Sequence, residues 1–78
     1  MTLRFFGRLR DSVGVSHMML AVPPHIADSD ALRRWIGKQY PALLDPSVRI
    51  AIDDVLATDT VPIGGANEAA FLPPVSGG

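Results

Sequence analysis

Residues 27–41 read ADSDALRRWIGKQYP, and this stretch decides how the rest of the chain must be arranged. Leu32, Trp35, Ile36 and Tyr40 fall at i, i+3, i+4 and i+8, one apolar stripe on an α-helix. Arg33, Arg34 and Lys38 lie mostly off that stripe. Asp28 or Ser29 can cap the start, and Asp30 suits the positive end of the helix dipole. Pro41 bars Tyr40 from helical geometry, so the spacing predicts a helix that closes there. Gly37 weakens it by about 1 kcal/mol relative to alanine.

Everything around this helix reads as strand or turn. TLRFFGRL (2–9) opens with Leu3 and Phe5 on one face and Arg4 and Phe6 on the other, with Gly7 marking a bend or bulge. RDSVGVS (10–16) carries the turn residues Asp11, Ser12 and Gly14. HMMLAV (17–22) reads as a second strand, ended by Pro23 and Pro24. In VRIAI (48–52), Val48, Ile50 and Ile52 alternate onto one face. Asp53-Asp54 fits a two-residue hairpin turn, and VLAT (55–58) returns as a short strand. DTVPIGGAN (59–67) is loop. EAAFL (68–72) is the last strand, with Ala69 and Phe71 on one face and Glu68, Ala70 and Leu72 on the other.

One amphipathic helix among five strands covers one face of a small sheet. The fold class is therefore α+β: a two-layer domain with a sheet of about five strands on one main helix, its second face left open. Phe5, Trp35 and Phe71 are expected in the core.

Composition narrows the function. The chain has 78 residues, 47% hydrophobic and 19% charged, which suits one globular domain. A domain of this size buries only about 60% of its unfolded surface, which leaves little room for a deep catalytic cleft. Seven Lys/Arg against eight Asp/Glu give a net charge of −1, with no footprint for nucleic acid or an anionic membrane. Arg4, Arg8 and Arg10 cluster near the start and read as a solvated strand face. There is no cysteine, hence no disulfide, thiolate site or cysteine nucleophile. With no apolar leader and no apolar run near 20 residues, the chain reads as cytoplasmic.

The usual catalytic constellations are missing. His17 and His25 have no carboxylate spacing that suggests a metal site. No serine sits in a nucleophile elbow. PIGGAN (62–67) lacks the Lys-Ser/Thr and the helix of a phosphate loop and reads as a turn. Asp53, Asp54 and Asp59 are close in sequence, but two of them are needed for the hairpin. No metal ligand is assigned, and no permanently bound cofactor is expected.

The end of the sequence, FLPPVSGG (71–78), differs. Pro73 and Pro74 fix φ near −65° and carry the chain off the last strand in an extended path. Gly77-Gly78 can thread a channel too narrow for side chains. A terminal carboxylate ionises with a pKa of about 3.5, so it must be activated before it can donate an acyl group. No residue of the chain supplies that activation, so a second protein must. This divides the chain into a domain of residues 1–72 and an extended, flexible tail of residues 73–78. A frayed end remains the simple alternative for Gly-Gly alone.

LRFFGRLRDSVG, the single helix ALRRWIGKQYPAL, VRIAIDD and the ending EAAFLPPVSGG together resemble the MoaD family, the small sulfur-carrier subunit of molybdopterin synthase, within the MoaD/ThiS ubiquitin-like superfamily. The resemblance spans almost the whole chain, and Pro-Pro-Val-Ser-Gly-Gly is its most specific part. It implies a β-grasp fold. It implies that an E1-like adenylyltransferase (MoeB-like) uses ATP to adenylate the Gly78 carboxylate, which sulfur converts to a thiocarboxylate. A large subunit (MoaE-like), in a heterotetramer, would receive the tail and pass the sulfur to cyclic pyranopterin monophosphate. The resemblance assigns Gly77 and Gly78 to the chemistry. It assigns Phe6, Leu56, Leu72, Pro73, Pro74, Val75 and Ser76 to partner binding. The chain departs from the family pattern at GANEA (65–69), where relatives have Asp-Gly-Asp-Glu-Val, and at Asp53, where many have asparagine. Two other readings stay open: a carrier or protein modifier for another pathway, such as thiamine or cysteine synthesis, and an interaction module with an inert tail.

Overall fold

The computed structural model describes residues 1–74; the residues expected to carry the tail chemistry, Val75, Ser76, Gly77 and Gly78, lie outside the described residues. In chain order the elements are β1 (Thr2–Phe5), α1 (Arg8–Val13), β2 (His17–Met19), α2 (Ser29–Gly37), a 3₁₀ turn (Pro41–Leu44), β3 (Arg49–Ile52), β4 (Val55–Leu56) and β5 (Glu68–Leu72). The strands form one mixed sheet in the order β2-β1-β5-β3-β4. β1 and β5 lie parallel at its centre, and all other pairs are antiparallel. α2 covers one face. This is the α+β architecture expected from the pattern, with five strands and one main helix.

Strand alternation sorts the residues as expected. Leu3, Phe5, Ala69, Phe71, Val48 and Ile50 are buried beneath α2, where they meet Leu32 and Ile36. Phe5 and Phe71 stack at the centre, with ring centroids 5.7 Å apart and planes inclined by 19°. Trp35 packs on the margin of this core and is only partly buried.

Four local expectations need correction. Residues 8–13 of the expected strand end and turn form the short helix α1, because Leu9 and Val13 share a face that packs on the core. Gly14, at φ 98°, closes this helix in the left-handed conformation and donates its N–H to the Arg10 carbonyl at 2.8 Å. β2 stops at Met19 rather than Val22. Its last exchange runs between Leu20 and Met1, whose amino group donates to the Leu20 carbonyl. α2 closes at Gly37, although Tyr40 still donates its N–H to the Ile36 carbonyl at 3.1 Å. β4 keeps only Val55 and Leu56 of the four residues expected.

The 3₁₀ turn that follows α2 accounts for Gly37. A Cβ there would fall 2.6 Å from Leu44 Cγ. The missing side chain lets the 3₁₀ turn lie against α2, which offsets the poor helix propensity of glycine.

Polar side chains then fix the loops. Asp28 is the cap: the Ala31 N–H donates to its Oδ1 at 2.8 Å. Ser29 has a different task. Its N–H donates to the Val61 carbonyl at 2.8 Å, and its hydroxyl accepts the Val61 N–H at 3.0 Å. That tie pulls the 59–67 loop over the helix start and buries Ile63. Arg33 donates to three carbonyls, of Leu43 at 3.4 Å, Asp45 at 2.9 Å and Val48 at 2.5 Å, which latches α2 to the segment entering β3.

Candidate functional site: the open sheet face and the tail root

The face of the sheet away from α2 carries the alternate residues of the same strands. Strand register sets Leu72 beside Arg49, and Ala70 beside both Arg4 and Ala51; Ala51 in turn faces Leu56 on β4. Phe6 lies one position past β1 and donates its N–H to the Phe71 carbonyl at 3.1 Å, which keeps it level with Leu72. The open face is thus an apolar strip of Phe6, Leu72, Ala70, Ala51 and Leu56, edged by Arg4 and Arg49.

Exposure is greatest at the two ends of this strip, while Ala70 between them is buried. Phe6 is 38% exposed and Leu56 46%, with Val55 at 69% on the edge strand. Leu72 is half-buried, because strands flank it on both sides. Arg4 is tied down within the face: its guanidinium lies 5.2 Å from the Phe6 ring centroid and 3.7 Å from the Glu68 carboxylate. The other two arginines of the N-terminal cluster, Arg8 and Arg10, belong to α1 rather than to a strand face.

The tail starts from this face. Leu72, Pro73 and Pro74 line an open depression of about 970 Å³, together with Leu56, Arg49, Arg33 and the loop at Thr58–Thr60. Gly7, at φ 56°, backs onto Pro73, and a Cβ on Gly7 would stand 2.8 Å from Pro73 Cγ. The chain therefore leaves the centre of the sheet, from the strand that pairs with both β1 and β3, with its first proline held against the end of β1.

The opposite end of β5 is held by Asp53. Asp53 and Asp54 have φ of 47° and 69°, the left-handed pair that a tight hairpin requires. The Asp53 carboxylate accepts the N–H groups of Asn67 at 3.0 Å and Glu68 at 2.9 Å, while its own N–H donates to the Glu68 carbonyl. One side-chain oxygen thus starts the tail-bearing strand, and an asparagine carbonyl oxygen would do the same.

Asp45 lies near α1 and Arg33, and its acidity is raised. Hydrogen bonds from the Ser47 N–H and hydroxyl, at 2.9 and 2.7 Å, hold its carboxyl below the usual range; the charges of Arg8 and Arg33 add to this. Among the described residues no group of three or more His, Cys, Asp or Glu is placed to hold a metal ion. No described helix is long and apolar enough to cross a membrane.

Sequence reasoning placed Phe6, Leu56 and Leu72 on one face by parity and resemblance, and the structure brings the three onto that face. It missed the Arg33 latch and the double acceptance by Asp53. A signal for Arg33 was available: it flanks the apolar stripe, next to Leu32, where a long side chain can reach over the helix edge.

Among solved structures, the fold is similar to that of the small archaeal modifier protein 1 from Methanosarcina acetivorans. The TM-score is 0.69 at 21% sequence identity, over 99% of this chain and 94% of that chain. The five-stranded mixed sheet on one main helix is accordingly a β-grasp, ubiquitin-like fold. The sequence from residue 3 to residue 78 matches the family model described as ThiS, and the chain belongs to the ThiS family.

Proposed function

We propose that the protein is the sulfur-carrier subunit of a molybdopterin synthase. An E1-like adenylyltransferase binds the open face and takes the tail into its active site. The Gly78 carboxylate attacks the α-phosphorus of ATP, pyrophosphate leaves, and an acyl-adenylate forms. A sulfur donor then displaces AMP, and Gly78 becomes a thiocarboxylate. A large subunit docks on the same face in a heterotetramer, and the sulfur passes to cyclic pyranopterin monophosphate.

The observation that carries this reading is the origin of the PPVSGG tail. It follows directly from the central strand β5, at the edge of an apolar strip that includes Phe6, Leu56 and Leu72. The strip docks a partner, Pro73 and Pro74 set the direction of departure, Val75 and Ser76 are gripped, and Gly77 and Gly78 fit a narrow channel. The chain supplies the nucleophile and its presentation; the partners supply every catalytic side chain.

Thiocarboxylated protein, mixed with a molybdopterin synthase large subunit and cyclic pyranopterin monophosphate, should yield molybdopterin. No product from a large subunit that is active with its own carrier would refute the assignment. A second reading is favoured by the likeness to a protein modifier: the activated Gly78 is joined to lysines of other proteins. That reading predicts covalent adducts in the host, cross-linked through Gly78, that disappear when Gly78 is deleted.

A further inference from the structure

Arg49 is the cation of the open face that the fold does not use. Arg4 is paired with Glu68 and covers Phe6, Arg34 is paired with Asp30, and Arg33 is spent on three carbonyls. Besides Arg33, the cations Arg8, Arg10, Lys38 and Arg49 have no carboxylate within ion-pair distance among the described residues, and of these four only Arg49 stands on the sheet. It is exposed, and strand register sets it beside Leu72, the last residue before the tail.

The charges around it are accounted for. Two acids line the same depression. Asp30 is committed to Arg34, and the Asp59 carboxylate accepts the Thr60 N–H at 2.8 Å. From β5, Leu72 brings no charge, and Glu68 stands at the far end of that strand beside Arg4. From β4 and the residues after it, Leu56, Ala57 and Thr58 bring none. The surface next to the tail root therefore sets the apolar side chains of Leu56, Leu72, Pro73 and Pro74 beside Arg49, a guanidinium with no ion-pair partner among the described residues; Arg33 and Asp59, which line the same depression, keep their charges and hydrogen-bond to backbone groups.

Resting on the docking role proposed for this face, we infer that Arg49 is its specificity determinant, and that the partner it selects is a protein surface carrying a carboxylate beside an apolar side chain. The apolar group covers Leu56 and Leu72, and the carboxylate meets Arg49. Once the face is covered, that pair is shielded from solvent and gains strength, while a partner with a neutral or basic group there leaves a charge buried and unpaired. Arg49 makes this choice without entering the chemistry at Gly78.

The test measures affinity of the full-length protein for the host's E1-like adenylyltransferase by calorimetry, over a range of salt concentrations. Arg49→Glu should weaken binding by roughly 30-fold or more and Arg49→Ala by less, with Arg49→Lys intermediate. Arg49→Ala should also flatten the salt dependence. Lys38→Glu, just past the end of α2 and outside this depression, makes the same change in net charge and should leave affinity unchanged. Wild-type affinity for Arg49→Glu, or equal loss in both charge reversals, would overturn the inference and leave the docking face standing. An effect confined to the KM for ATP would overturn it as well. If the wild-type protein binds no adenylyltransferase, the proposed function fails, and this inference with it.

Discussion

The two faces of one sheet are built from the same strands and follow opposite rules. Beneath α2, Leu3, Phe5, Ile50, Ala69 and Phe71 are sealed from water, and their role ends with stability. One residue along in each strand, Phe6, Arg49, Ala51, Ala70 and Leu72 face outward. A small domain has little apolar surface to spare for its core, and the apolar residues on its outer face are the ground for the proposal that a partner covers them. Substitutions on the covered face should remove the fold and leave nothing to measure in binding. Substitutions on the open face should remove binding and leave the fold.

The largest effect is expected on the covered face. Phe71→Ala removes a fully buried ring and its stacking partner's contacts, at a cost of ~3–5 kcal/mol read from the denaturant midpoint. For a domain of this size that approaches global unfolding. Its neighbour one position along gives the contrast. Leu72→Asp should lower affinity for the activating enzyme by roughly 100-fold through a buried, unpaired carboxylate, with a thermal midpoint close to wild type. A collapse in stability for Leu72→Asp would erase the distinction between the faces.

Two polar residues sharpen the comparison, because they serve the fold from outside the core. Arg33→Met keeps the aliphatic stem and strips three carbonyls of a charged donor, so unfolding free energy should fall by ~1.5–3 kcal/mol. Asp53→Ala leaves the Asn67 and Glu68 N–H groups without their acceptor and should cost about 1 kcal/mol, while Asp53→Asn should be nearly neutral. Urea unfolding of the three variants measures both differences.

The smallest effect is a pH dependence. The folded pKa of Asp45 is depressed, so its stabilising contribution is present above the unfolded value of 3.8 and is lost as pH falls through the lower folded value. The stability gap between wild type and Asp45→Asn should be constant above about pH 5 and shrink on acidification. A gap that grows as pH falls would contradict the assigned hydrogen bonds from Ser47.

Much of this was legible in the chain because alternation and helical periodicity are strong signals. The stripe of Leu32, Trp35 and Ile36 and the parity of Leu3-Phe5 against Arg4-Phe6 fixed the layers and the open face. What was not legible came from single contacts between distant residues. Gly37 looked like a weak point until Leu44 was seen against it. Asp11, Ser12 and Gly14 suggested a turn, yet the spacing of Leu9 and Val13 was enough for one packed helical turn once a core was present to receive it. Asp53 was read only as a hairpin residue, because its hold on Asn67 and Glu68 spans a loop whose path local sequence does not encode.

The central claim is that the fold serves to present Gly78 to an activating partner. Its direct test is the mass of the intact protein after incubation with the host's E1-like adenylyltransferase, ATP and a sulfur donor, followed by fragmentation. The account predicts exchange of one oxygen for sulfur, mapped to Gly78 and absent when Gly78 is deleted. An unchanged mass, with an enzyme proven active on another carrier, would contradict it.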